Sequence, residues 1–271
     1  MPQKEDVAVL TEKIKQKLSL IRRKILVLSG KGGVGKSTVA CALSLCLAEK
    51  GERVGLLDVD IHGPSVPLLL GLRNARVRAE GEELLPVEGP WGVRVLSIGF
   101  LLESESGAVI WRGPLKLSLI RQFLAQGRWG ELDWLIVDSP PGTGDEPLSC
   151  VQLIGKVDGA ILVTTPQEVA LADVRKAVDF CRKLEVPVLG VVENFSWVRC
   201  PSCGKEFPVF GQGGGQLLAR EAGSELLSQL PLEPDFGLKA DRGQLDLSGQ
   251  VGEELHKLAE KVAAKLGGSA Q

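Results

Sequence analysis

The chain has 271 residues, a formal net charge of -2 and 44% hydrophobic residues, which suits one α/β domain with a sizeable core. So small a charge gives no field that draws nucleic acid or an anionic membrane, and no apolar run reaches the roughly 18 residues of a membrane span. The charged N-terminus lacks a secretory apolar region, so a cytoplasmic protein is expected, and its six cysteines read as thiols or metal ligands, not as a disulfide framework.

In chain order, residues 4–22 place Val7, Val9, Leu10, Ile14, Leu18 and Ile21 at the spacing of an amphipathic helix, and residues 1–23 are expected to pack on the domain that follows. Residues 24–29 (KILVLS) form a buried-strand run, and residues 37–48 are apolar enough to be a helix against a sheet. Between them stands Gly30-Lys31-Gly32-Gly33-Val34-Gly35-Lys36-Ser37-Thr38, which satisfies G-x-x-x-x-G-K-[ST]. A strand feeding a glycine loop that opens a helix turns backbone N–H groups and the positive helix end toward phosphate oxygens. Lys36 then reaches the β and γ phosphates, and Ser37 serves as a ligand to Mg²⁺.

Residues 53–58 form a second strand that delivers Asp58 and Asp60 at its carboxyl end, the edge where open α/β sheets bind ligands. Residues 62–65 turn into a short helix through Leu72, and residues 73–92 read as a peripheral hairpin. Strands follow at 93–98, 133–138, 159–164 and 187–193, with helices at 114–126 and 169–184. Repeated alternation of strand and helix predicts a doubly wound, mostly parallel sheet. Beyond residue 196 come a Cys200-Pro-Ser-Cys203-Gly turn, a glycine triplet, a helix at 216–222, a short strand at 226–230 and an amphipathic helix at 251–266. Residues 24–266 are thus expected to be one domain, with a fraying tail at 267–271.

Asp138 ends a buried strand and is placed to hold the Mg²⁺ shell. The segment behind it, with Pro141 and Gly142, is stiff at its prolines and permissive at its glycines, as a γ-phosphate switch requires. Asp58 or Asp60 could orient the attacking water, and Asp60 is the better placed; the alternative for either is a turn former. Cys200 and Cys203 have the spacing of a metal knuckle. Two thiolates leave a tetrahedral site half filled, and a symmetric partner supplies the rest if two such loops meet on a two-fold axis. Spacing alone leaves an iron-sulfur cluster, Zn²⁺ and a redox pair open.

The KGGVGKST string resembles the deviant Walker A loop of the ATPases that include MinD, ParA and the nitrogenase iron protein. That resemblance implies that Lys31 reaches a partner's nucleotide across a dimer interface. SGKGGVGKST, LLDVDIHGPSVP, VIWRGPL, DWLIVDSPPGTGDEPL, VTTPQEVALADVRKAV, PVLGVVENFSWVRCPSCG and FGQGGGQLLA occur in an order similar to that of the Mrp/ApbC family of iron-sulfur cluster carrier ATPases. This second resemblance implies a homodimer holding a labile [4Fe-4S] cluster on Cys200 and Cys203, with ATP gating its delivery to apo iron-sulfur proteins. It further implies that Asn194 contacts adenine, that Asp60 lies in switch I, and that Asp138, Pro141 and Gly142 lie in switch II. Residues 1–23 contain no cysteine, so no second N-terminal cluster is expected. The competing readings are a MinD- or ParA-like spatial regulator, which needs a membrane-binding tail or a basic DNA surface, and an ATPase dimer with structural zinc.

Overall fold

The computed structural model describes residues 4–60, 63–101 and 113–267. Helix α1 (Lys4–Ser19) leads into β1 (Ile21–Ser29), the glycine loop, α2 (Lys36–Glu49) and β2 (Val54–Asp58). A short α3 (Val66–Leu69) precedes the hairpin β3 (Arg78–Glu80) and β4 (Glu83–Leu85), then β5 (Val87–Glu88) and β6 (Arg94–Ser97). Next come α4 (Gly113–Gln126), β7 (Leu132–Asp138), α5 (Asp145–Ile154), β8 (Gly159–Thr164), α6 (Glu168–Lys183) and β9 (Val188–Glu193). The hairpin β10 (Val198–Arg199) and β11 (Glu206–Phe207) follows, then α7 (Gly214–Glu221), β12 (Leu226–Gln229), α8 (Pro234–Asp241) and α9 (Gly249–Lys265).

The main sheet has eight strands in the order β12-β9-β8-β1-β7-β2-β6-β5. All its pairings are parallel except the edge pair β5–β6, as expected for a mostly parallel doubly wound fold. The central strands are apolar on both faces because both are covered. Along β1, Leu26 and Leu28 join a core with Ile14, Phe123, Cys150 and Val174, whereas Ile25 and Val27 point into a second core with Leu43, Leu255 and Val262. This alternation places α1, α4, α5, α6 and α7 on one face and α2, α3, α8 and α9 on the other. Helix α9 buries Val251, Leu255, Leu258, Ala259 and Val262, so its apolar stripe is used inside the domain.

Several elements differ from the reading of the sequence. Ile21 does not continue the first helix: the chain turns at Leu20, and Ile21, 3% exposed, opens β1 beside Leu132. Helices α5 and α8 occupy segments to which the reading of the sequence assigned no element, and β5 adds an antiparallel edge. His62 and the VIW and Arg112 part of the VIWRGPL segment lie outside the described residues, as do positions 268–271 of the tail.

Candidate functional site

The loop between β1 and α2 is shaped by its glycines. Gly33 and Gly35 have φ of 78° and 86°, where a side chain would be strained. A Cβ on Gly30 would fall 2.3 Å from the backbone carbon of Asp173 in α6, so the loop can lie against that helix only without one. Gly35 caps α2, and Lys36 is that helix's first residue, which leaves free N–H groups pointing at the loop's hollow.

Register brings the acids to the same place. β2 and β7 pair with Asp58 opposite Asp138, and β1 sets Val27 beside Asp138, so the carboxylates arrive together at the carboxyl edge of the sheet. The Lys36 Nζ lies 2.5 Å from Asp138 Oδ1, 3.6 Å from Asp60 Oδ2 and 3.3 Å from Ser37 Oγ. Beneath them, Asp58 Oδ1 accepts the Asp60 N–H at 3.0 Å and Oδ2 accepts the Ser97 hydroxyl at 2.7 Å. Ser97 was not singled out from the sequence; its position at the carboxyl end of a buried strand was the available signal.

Burial pushes Asp58 up to about 8, and the neighbouring Asp138 adds to the rise. Asp138 is raised as well, by burial above all, with Lys36 opposing. Burial alone would lower the Lys36 ammonium, but Asp138, Asp60 and Asp58 outweigh it and hold Lys36 above its ordinary value. The lysine is thus the counter-charge of a buried acidic group. Asp138 Oδ2 is buried with no hydrogen-bond partner. An orphaned carboxylate oxygen on an acid that shares the Lys36 ammonium with the Ser37 hydroxyl is the donor chemistry that Mg²⁺ takes, so the residues present fit a magnesium nucleotide. Ser37 and Asp138 would hold the ion, and it would neutralise phosphate charge there.

A cleft of about 370 Å³ opens over these groups, lined by Lys31, Gly32, Gly33, Gly35, Lys36, Ser37, Thr38, Asp60 and Pro141. Next to Pro141 on its wall, the Gly142 N–H donates to Ser29 O at the end of β1 at 2.8 Å. Val34 is buried under the loop. Asn194, at the end of β9, does not line the cleft: its Nδ2 donates to Val34 O at 2.9 Å, so it buttresses the loop from behind.

The two candidate metal-ligating cysteines stand apart from this cleft. They lie in the turn between β10 and β11, closed by the Cys200 N–H to Lys205 O and the Gly204 N–H to Cys200 O, both 2.9 Å. Cys203 is exposed and Cys200 partly so, whereas Cys41, Cys46, Cys150 and Cys181 are buried. The backbone N–H groups of Cys203 and Ser202 point at the Cys200 sulfur and hold its thiol below the ordinary value. Burial pushes Cys46, Cys150 and Cys181 up to about 12. Thiolate chemistry is therefore concentrated in the turn. No cluster of three or more His, Cys, Asp or Glu side chains that could hold a metal occurs among the described residues.

The model of the ParA family described as NUBPL iron-transfer P-loop NTPase matches residues 20–267. An iron-sulfur cluster carrier protein of Methanocaldococcus jannaschii is 44% identical over 258 residues, spanning 94% of this chain and 89% of the relative. A cytosolic Fe-S cluster assembly factor NUBP2 homolog of Monosiga brevicollis is 49% identical over 236 residues, 86% of this chain and 83% of the relative. Among solved structures, a nucleotide-binding protein from Archaeoglobus fulgidus in complex with ADP superposes with a TM-score of 0.79 at 41% identity, covering 90% of this chain and 96% of that one. The Pyrococcus furiosus cell division ATPase MinD, 22% identical, shares the fold with a TM-score of 0.61 over 90% of this chain and 99% of its own. With the phosphate loop, the paired acids and the exposed cysteine turn in one chain, the chain belongs to the NUBPL-type family of iron-transfer P-loop NTPases.

Proposed function

We propose that this protein carries iron-sulfur clusters and that ATP bound in the Lys36 cleft governs their receipt and release. The cluster is cargo, held by Cys200 and Cys203 of two copies of the chain. The observation that carries this reading is the partition of the cysteines: four are sealed in the two cores and two are presented on a hairpin turn. Two thiolates complete half of a four-thiolate site, and the described residues offer no third ligand nearby. A second copy supplies the missing pair by symmetry and makes a [4Fe-4S] cargo fit.

On the nucleotide side, Lys36 leaves Asp138 for the β and γ phosphates, and Asp60 orients water for hydrolysis. Lys31, on the rim of the same cleft, faces the partner's nucleotide when two copies meet. The cytosol, where thiols stay reduced, suits such a carrier, and no helix among the described residues is long and apolar enough to cross a membrane.

The deciding experiment is strictly anaerobic purification and reconstitution with metal analysis. About four irons per dimer and a visible charge-transfer absorption that disappears in Cys200→Ala are expected. Stoichiometric zinc without iron, or an unchanged spectrum in that variant, refutes cluster carriage by this turn.

A further inference from the structure

The nucleotide cleft and the hollow beside Cys200 share no lining residue among those described, and a buried carboxylate is bonded to the chain that leads to the cysteine turn. Glu193, the last residue of β9, is 1% exposed. Its Oε1 accepts the Ser196 hydroxyl and the Gln229 amide, both at 2.8 Å, and its Oε2 accepts the Gly215 N–H at 2.5 Å. All three partners are uncharged donors. A carboxylate is a costly group to bury, and this one is retained with each oxygen satisfied.

The partners show what it holds. Ser196 is where the chain leaves the sheet edge toward Cys200 and Cys203, and Gly215 is where it returns at the start of α7. Both feet of the excursion thus stand on one carboxylate. Gly215 has no room for a side chain, since a Cβ would fall 2.8 Å from the Glu193 Cβ and 2.9 Å from its Oε2. On the other side, Glu193 shares a peptide bond with Asn194, whose amide is bonded to Val34 O within the phosphate loop. A continuous path therefore runs from Val34 through Asn194 and Glu193 to the two feet of the cysteine excursion.

We propose that Glu193 is the positioning residue through which nucleotide occupancy of the loop sets the placement of the Cys200–Cys203 turn. This rests on the reading of the protein as a nucleotide-governed carrier. When phosphates reshape the loop around Val34, Asn194 follows its bonded carbonyl, and the adjoining Glu193 shifts both feet together.

The test uses the metal-free, reduced full chain, with alkylation of the exposed Cys203 by iodoacetamide followed by peptide mass spectrometry, with and without magnesium ATP. In the unaltered protein, ATP is expected to change the alkylation rate by about fivefold or more, and in Glu193→Ala the change should shrink to under about twofold. Glu193→Gln should restore it: its carbonyl still accepts from Gly215, while Ser196 and Gln229 can reorient to meet its amide. If Glu193→Ala fails to fold, Gly215→Ala displaces the second foot and should give the same loss of response. A merely structural carboxylate would alter the alkylation rate equally in both nucleotide states and leave their ratio intact. That result, a full response in Glu193→Ala or Gly215→Ala, or no response in the unaltered protein overturns the proposal. None of these outcomes bears on iron loading, which tests carriage separately.

Discussion

Gly35→Ala isolates how the phosphate loop is held open. Two costs are expected at this position, and they have different origins. Gly35 has φ of 86°, and placing an L-residue in the left-handed region costs roughly 1–2 kcal/mol. The new Cβ would also fall 2.2 Å from Asn194 Nδ2, so the amide must move. Its bond to Val34 O, 2.9 Å long, would then be lost at roughly 0.5–1.5 kcal/mol. The sum is about 1.5–3.5 kcal/mol of unfolding free energy, measured by urea titration without nucleotide. The double-mutant cycle with Asn194→Ala separates the terms. With the amide already gone, Gly35→Ala should cost only the backbone term, and the two substitutions should be non-additive by about 1 kcal/mol. Additivity within about 0.4 kcal/mol would refute the steric account and leave backbone strain alone as the reason for glycine here.

Lys36→Ala removes both the phosphate ligand and the counter-charge of Asp138; nucleotide affinity by fluorescence titration should fall about tenfold to a hundredfold, and unaltered affinity would refute the site. Asp60→Ala should keep nucleotide binding while slowing phosphate release in a steady-state assay, and unchanged turnover would remove Asp60 from the chemistry. Asp58, raised from 3.8 to about 8, is protonated in the fold at pH values where the unfolded chain is ionised. Its contribution is therefore fully present below about pH 4 and is lost as pH rises toward about 8. Nucleotide-free stability should decline across pH 5–7 by up to about 1.4 kcal/mol per unit, and Asp58→Asn should flatten urea midpoints measured over that range.

The parts of the site that a short stretch of chain encodes were legible. Gly33, Gly35, Lys36 and Ser37 act through local backbone geometry, and Asp138 is marked by the apolar run that ends in it. The elements that escaped notice have weak local patterns. Helix α8 contains Gly237 and buries only Ala240, so it lacks an apolar stripe. Helix α5 follows so closely on the Pro140 to Gly144 segment that its first turn, Asp145 and Glu146, reads as more loop. Two-residue strands such as β5 and β10 lie below any periodicity.

What could not be read is side-chain contact between segments far apart in the chain. Asn194 stands just past the end of a strand, and its amide donates to a carbonyl 160 positions away, a contact that no local pattern announces. Glu193 beside it has no cation to announce a role, because its three bonds go to a serine, a glutamine and a glycine nitrogen that only the fold assembles. The two residues face opposite ways from one strand end, one toward the phosphate loop and one toward the cysteine excursion. Glu193 ends β9 and Asn194 is the first residue beyond it, so one strand end serves two sites with adjacent residues. Among the described residues the Lys36 cleft and the hollow beside Cys200 have no lining residue in common, and the Glu193–Asn194 peptide bond at the carboxyl edge of the sheet links the bonds that hold each.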